Sequence, residues 1–493
     1  MEEIFAKRQK SFMAQPSQVV LRNTIQSSKL SKAKKQRQAV ASSYRKKFKT
    51  EFEDRLRSLT LPSTFSLIHS DSINSKIQGA RDLRLILSRN HTPPLQELID
   101  SGVIPILISF TTLFDHPELQ YESAWALSNI ASGDVEHTKV LVDKGIIPKI
   151  LDLLNSPHEH VQDQGVWVLG NITGDSSSYS EQICQYGGIQ KLIYIIKNCS
   201  AEYLLKSAVW ALGNLCKGER SPEFSIIKDA VPVFCELLSK PDEDLVRDSL
   251  WVLSSITEYS EESGNILISY NVLPRIVSLF SHLDTEIQFP AITIIGRVAA
   301  GSDMQTSAAI SANAVLCLTP LLNSPKREIR KEAIWCLSNF AAGTEEHIES
   351  LIKNEIFQKI IKIIYRDEKY VKVEALWVIA NAAGKGNPAQ VNDLVKAGVI
   401  GALVRCLSVE DNKVLQVVLL GVKLVLMAGN KLLTESGVNP YAVIFEESDG
   451  VRLLDKLQYK ANTKVYEDSY YILTTFFEGV PVDQDLIDMI VGE

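Results

Sequence analysis

The chain has 493 residues, 45% of them hydrophobic and 23% charged, with a net charge of −7. These proportions exclude a low-complexity or collagen-like chain, and no run of about 18 apolar residues offers a membrane span. Seven scattered cysteines with no Cys-x-x-Cys pair exclude a disulfide framework and fit a reducing compartment, and the N-terminus lacks an apolar signal core.

Residues 1–50 hold thirteen Lys/Arg against two acidic residues, a net of +11, so the remainder carries −18. Residues 1–70 show no apolar periodicity and read as a basic tail and linker, disordered until bound, with clusters at Lys29–Arg37 and Arg45–Lys49. The acidic body attracts that tail and repels phosphate, so no direct nucleic-acid partner is expected.

From about residue 71 the chain repeats. Trp followed four residues later by Asn occurs at Trp125/Asn129, Trp167/Asn171, Trp210/Asn214, Trp335/Asn339 and Trp377/Asn381, while Trp251 is followed by Ser255. Successive Trp steps are 42, 43 and 41 residues, and the gap of 84 to Trp335 is two periods, with Thr293 and Arg297 in the places of the missing pair. Gly and Pro punctuate each period into three helices. The second repeat reads as a helix through Ala124–Ala131, Gly133, a helix near Thr138–Asp143, Gly145, and a helix Ile147–Leu154. Gly102, Gly145, Gly188 and Gly398 mark equivalent turns. Three helices in about 42 residues predict an all-α, right-handed superhelical solenoid of about ten armadillo repeats over 71–493.

On the Trp125 helix, Ala124, Leu127 and Ala131 form the core stripe, and Trp125 and Asn129 lie away from it with Glu122 beside them. Burying an unpaired Asn in five repeats would cost about 1–3 kcal/mol each, so the pairs read as an exposed ladder. Asn amides suit the backbone of an extended peptide, and slots between indoles suit Lys and Arg. The position three before each Trp holds Glu122, Gln164, Ser207, Asp248, Glu332 and Glu374, an expected acidic border to that ladder. The eight histidines are scattered and no phosphate-cradling Gly loop is present, so neither catalysis nor a cofactor is expected. A beta-catenin-type adhesion or signalling scaffold is the competing reading, although such scaffolds favour basic grooves.

The stretches Tyr121–Thr138, Trp167–Asn171 with Gly174 and Asp175, Ser207–Gly218 and Glu332–Gly343 resemble the importin alpha (karyopherin alpha) family, adaptors that carry proteins with nuclear localisation signals between cytoplasm and nucleus. The resemblance implies a major signal site in repeats 2–4 from Trp125, Asn129, Gly133, Thr138, Gln164, Trp167, Asn171, Asp175, Trp210, Asn214, Trp251 and Glu258, with a lysine pocket at Gly133, Thr138 and Asp175. It implies a minor site in repeats 6–8 from Gly301, Thr306, Glu332, Trp335, Ser338, Asn339, Glu374, Trp377 and Asn381, weakened by Arg297. Lys32, Lys34 and Lys35 resemble the importin-beta-binding segment, though its dense arginine run is missing, and Arg45, Lys46 and Lys47 resemble its signal-mimicking, autoinhibitory motif. The last repeat, around Gly450–Glu478, resembles the surface gripped by the nuclear export receptor with GTP-bound Ran.

Overall fold

A computed structural model describes residues 59–89, 94–216, 224–433, 437–459 and 462–477. The tail positions Lys32, Lys34, Lys35, Arg45, Lys46 and Lys47 lie outside the described residues. Among those described, every regular element is helical.

Ten longer helices recur at the repeat period: α1 Ile73–Arg89, α2 Pro117–Ala131, α3 Glu159–Asp175, α4 Glu202–Leu215, α5 Glu243–Tyr259, α6 Thr285–Ala299, α7 Arg327–Ala341, α8 Lys369–Lys385, α9 Asn412–Gly429 and α10 Thr463–Phe476. The chain divides into two compact units, residues 1–259 holding α1–α5 and residues 260–493 holding α6–α10. Within each unit every long helix packs on the next, and shorter helices such as Val135–Asp143 and Ile146–Leu153 complete the repeat. This is armadillo solenoid architecture, in which each unit of sequence finds its core on its neighbours.

The register is set by an apolar residue six positions before each ladder aromatic. Leu119, Val161, Leu204, Ile329 and Val371 are all fully buried, and Ala124, Leu127 and Ala131 line the core as their periodicity requires. Helix starts are fixed by local chemistry: Pro117 occupies the first turn of α2, and the Asp411 and Asn462 side chains accept backbone N–H groups at the starts of α9 and α10.

Three expectations need correction. Helix Leu61–Ile68 precedes α1 and buries Ile68 against it, so the folded region begins before residue 70. The left-handed turn residue is Gly187, at φ +78, and Gly188 already begins the helix; a Cβ at Gly188 would stand 2.4 Å from Ile183 Cγ2. Equivalent turns elsewhere use Asn271, Asn313, Glu355 and Asp449, also at positive φ. Finally, residues Asn412–Leu432 are long and apolar enough to cross a membrane by composition, yet 67% of that window is buried against the rest of the protein, as a core helix would be.

Candidate peptide-recognition ladder

In the first unit Trp125, Trp167 and Trp210 are partly exposed on α2, α3 and α4, whereas Trp251 on α5 is buried. The Trp167 and Trp210 rings lie 4.9 Å apart, and Tyr121 meets Trp125 edge-on at 5.5 Å. Each ladder Asn is tied to the preceding repeat. Asn171 Nδ2 donates to the Ser128 carbonyl (3.1 Å), Asn214 to that of Gly170 (3.0 Å), and Asn129 to the Ser88 hydroxyl (3.0 Å) and the Arg84 carbonyl (3.5 Å). The argument that a packed Asn would go unpaired therefore fails, because the neighbouring helix supplies an acceptor. Among the described residues the Oδ1 atoms of Asn171 and Asn214 accept no hydrogen bond, which leaves an acceptor for a peptide N–H.

These bonds expose a column missed in the sequence. The residue before each ladder position is small throughout the repeats with Trp or its replacement: Ser128, Gly170, Gly213, Ser254, Gly296, Ser338 and Ala380. At Gly170 and Gly296 the next indole lies against it. A Cβ on Gly170 would come within 2.0 Å of Trp210 Cζ3, and one on Gly296 within 2.3 Å of Trp335 Cζ3. Small size before the Asn was visible in the sequence; that it seats the following Trp was not.

Thr138 and Asp175, 37 residues apart, are brought together: the buried Thr138 hydroxyl donates to Asp175 Oδ2. Asp175 ends α3, where unpaired helix carbonyls already concentrate negative potential. Burial pushes its carboxyl above the usual range, the Thr138 hydrogen bond opposes that, and Asp134 adds to it. A carboxylate held against its preference for water is a ready partner for a cation. Gly133 is exposed nearby on the loop after α2, where Asp134 caps the next helix by accepting from the His137 N–H. Glu258, on the last turn of α5, is partly exposed.

Most of the expected acidic border is not on the surface; of its positions only Asp248 is partly exposed. Glu122, Glu332 and Glu374 are buried, as are Gln164 and Ser207. Three residues before the Trp is about 60° round the helix, and that turn points the side chain at the preceding repeat instead of solvent. Glu122 accepts from Arg81 Nε (3.0 Å) and Arg84 Nε (2.5 Å), and Glu332 accepts from the Thr293 hydroxyl (2.5 Å). Gln164 bonds to the adjacent Asp163, and Ser207 to its own helix at the Tyr203 carbonyl.

In the second unit Trp335 is only 7% exposed and Asn381 only 2%, while Trp377 and Asn339 remain partly exposed. Asn339 donates to the Gly296 carbonyl (2.8 Å) and Asn381 to that of Ser338 (2.8 Å), so the ties persist although Arg297 has replaced an Asn. Thr306 is buried and donates to the Ala299 and Ser302 carbonyls (3.0 and 3.1 Å). The counterpart of Asp175, four residues past the ladder Asn, is Gly343. Ser338 is fully buried and donates to the Trp335 carbonyl, and Gly301 is partly exposed after α6.

Comparison with known proteins identifies the family. Armadillo/beta-catenin-like repeat models match residues 91–132, 176–217 and 224–258, an atypical armadillo repeat model matches 439–488, and a HEAT-like repeat model matches 117–172 and 285–340. Importin subunit alpha-B of Dictyostelium discoideum is 42% identical over 453 residues, 92% of this chain and 87% of that protein. The chain belongs to the importin alpha family. Importin subunit alpha-1b of Oryza sativa is 35% identical over a stretch spanning 44% of this chain and 40% of that relative. A solved structure of an engineered protein covers 84% of the chain and 97% of its own length with a TM-score of 0.73 at 26% identity. The ladder is displayed unevenly: Trp125, Trp167 and Trp210 are partly exposed in the first unit, whereas Trp335 and Asn381 are buried in the second.

Proposed function

We propose that the protein is a nuclear import adaptor that holds Lys/Arg-rich nuclear localisation signals as extended peptides along the first-unit ladder. The observation that carries this is that one unit holds three partly exposed indoles on the consecutive helices α2, α3 and α4 together with Asp175 at the end of α3, whose carboxylate is held by Thr138. Indole faces attract cations at about 0.5–2 kcal/mol each, the free Asn oxygens accept peptide N–H groups, and Asp175 holds one ammonium group. Glu258 and the Gly133 loop border the same track. The second-unit residues, from Gly301 to Asn381, form a weaker second site for the other cluster of a bipartite signal, which gains affinity by tethering.

The basic segment of residues 1–50 links cargo to importin beta, and its Arg45–Lys47 cluster folds back on the ladder when importin beta is absent. The last repeat meets a nuclear export receptor with GTP-bound Ran, so the protein shuttles between cytoplasm and nucleus. The names of its relatives support this reading. Titrating the full chain with a Lys/Arg-rich and an acidic peptide tests it: the basic peptide binds and weakens with salt, since exposed charge pairs are screened within about 8–10 Å. Preference for the acidic peptide overturns it. Deleting residues 1–50 tightens the basic peptide and abolishes importin-beta binding together; unchanged peptide affinity removes the autoinhibition.

A further inference from the structure

Besides the Asn ties of the ladder, a second set of ties joins the repeats of residues 260–493. Gln305, His347 and Gln390, 42 and 43 residues apart, are all buried, and each stands third in a short helix: Asp303–Ser311, Glu345–Lys353 and Pro388–Lys396. One end of each side chain accepts the backbone N–H of the residue just before its helix: Gln305 Oε1 from Ser302 (3.2 Å), His347 Nδ1 from Thr344 (3.0 Å) and Gln390 Oε1 from Asn387 (3.2 Å). The other end reaches the preceding repeat. Gln305 Nε2 donates to the Glu261 carbonyl (3.0 Å) and Asn265 Oδ1 (2.8 Å), and Gln390 Nε2 to the Glu345 carbonyl (2.8 Å). His347 Nε2 lies 2.8 Å from Ser307 Oγ. A backbone N–H can only donate, so Nδ1 of His347 presents its lone pair, Nε2 carries the proton, and the ring donates to Ser307. A Cβ on Gly343 would stand 2.2 Å from Nδ1, so glycine there makes room for the ring. His347 thus does the work of a Gln with a group that can take a second proton.

We propose that His347 is an acid-sensitive joint between two repeats of the second unit, closed while its ring is neutral and loosened when the ring is protonated. A proton on Nδ1 leaves two donors, the ring N–H and the Thr344 N–H, facing each other with no acceptor between them. The tie at the start of helix Glu345–Lys353 is then lost, while Gln305 and Gln390, which do not titrate, keep theirs. Burial holds the pKa of the ring below its usual value; the carboxylates that act on it, Asp303 across the joint and Glu346 on its own helix, oppose that shift and are outweighed. Glu345 and Glu349 of the same helix turn to the following repeat, where they meet Asn387 and Gln390. Among the described residues, α7, α8 and helices Ile356–Arg366 and Pro388–Lys396, which also pack on this helix, add no charge that shifts the ring. Because the folded value is depressed, the contribution of the joint is fully present above the unfolded value of about 6.5 and is lost as pH falls through the folded one. His137 occupies the same place five periods earlier and accepts from the Asp134 N–H (2.9 Å), but there Asp134 Oδ1 lies 3.0 Å from its Nδ1. A protonated ring keeps an acceptor at that position, whereas at His347 the corresponding residue is the neutral Thr344.

Amide hydrogen exchange of the full chain, read segment by segment by mass spectrometry and corrected for the intrinsic pH dependence of exchange, tests this first without any substitution. Between about pH 7.5 and about pH 5, protection of helix Glu345–Lys353 falls about three-fold or more relative to helix Pro388–Lys396, which Gln390 holds. His347→Gln installs the residue of the neighbouring ties, so the two helices then respond to pH alike. His137→Gln leaves the wild-type difference in place. Thermal unfolding at neutral pH shows that each variant is folded, and if His347→Gln is not, the comparison of the two helices in wild type decides alone. An equal pH response of the two helices in wild type overturns the proposal, and so does an undiminished difference in folded His347→Gln.

Discussion

The two units carry the same ladder and set it in different surroundings. In residues 1–259 three indoles stay partly open and an acid stands over the buried threonine at the end of α3; in residues 260–493 the threonine bonds only to backbone carbonyls, Gly343 replaces the acid, and Trp335 sinks into the packing. The Asn-to-carbonyl ties are common to both. The Asn-to-carbonyl tie therefore serves the fold in both units, and what separates the units is the exposure of the ring and the charge beside it.

The largest expected effect breaks the symmetry of the tryptophans. Trp335→Ala removes a buried ring and costs about 3–5 kcal/mol of stability, seen as a lowered denaturation midpoint. Trp167→Ala, at a partly exposed ring, costs less stability and instead weakens a basic peptide by about 1–2 kcal/mol. Equal stability losses would mean the two rings are packed alike.

Asp175→Lys comes next. It abolishes binding of a single-cluster basic peptide, at least 100-fold or about 2.7 kcal/mol, with the unfolding transition intact. Retained affinity would move the cation pocket elsewhere in the first unit.

Smaller effects sharpen the comparison. Glu355, at φ +54, holds a left-handed turn that Gly serves at Gly102, Gly145 and Gly398. Glu355→Gly relieves about 1–2 kcal/mol of local strain, offset in part by a floppier unfolded chain, for a net gain of up to about 1 kcal/mol in chemical denaturation. A loss would mean the Glu355 side chain matters more than its backbone. Arg297→Asn restores the ladder in the second unit and should raise affinity for a peptide confined there by a few-fold, under about 1 kcal/mol. No gain would place Arg297 away from the peptide path.

Much of this was legible in the chain. The period, the helix triplets and the Trp/Asn spacing follow from apolar periodicity and from Gly and Pro, and the core stripe of α2 was read correctly. The misreadings share a physical cause, which is that sequence spacing fixes direction round a helix but not what the next repeat brings to meet it. Glu122 looked like a groove acid because Arg81 and Arg84, about 40 residues earlier, could not be seen beside it. Asn171 looked exposed because its acceptor is the Ser128 carbonyl, a backbone group with no signature in the sequence. Glu355 and Asp449 take positive φ where no rule for glycine would find them.

The central claim is that Asp175 makes the first unit the cation-binding site, and proton linkage tests it most directly. Burial raises the Asp175 carboxyl above its unfolded value of about 3.9, so in the unliganded fold its contribution to stability is present at low pH and is lost as pH rises through the raised value. A bound ammonium favours the ionised form, so peptide affinity should run the opposite way and fall with acid. Affinity of a Lys-rich peptide, measured from about pH 7 downward through the Asp175 titration to about pH 4 on wild type and on Asp175→Asn, should decline more steeply for wild type than for the variant, which is weaker at neutral pH. Parallel curves of equal affinity would contradict the account.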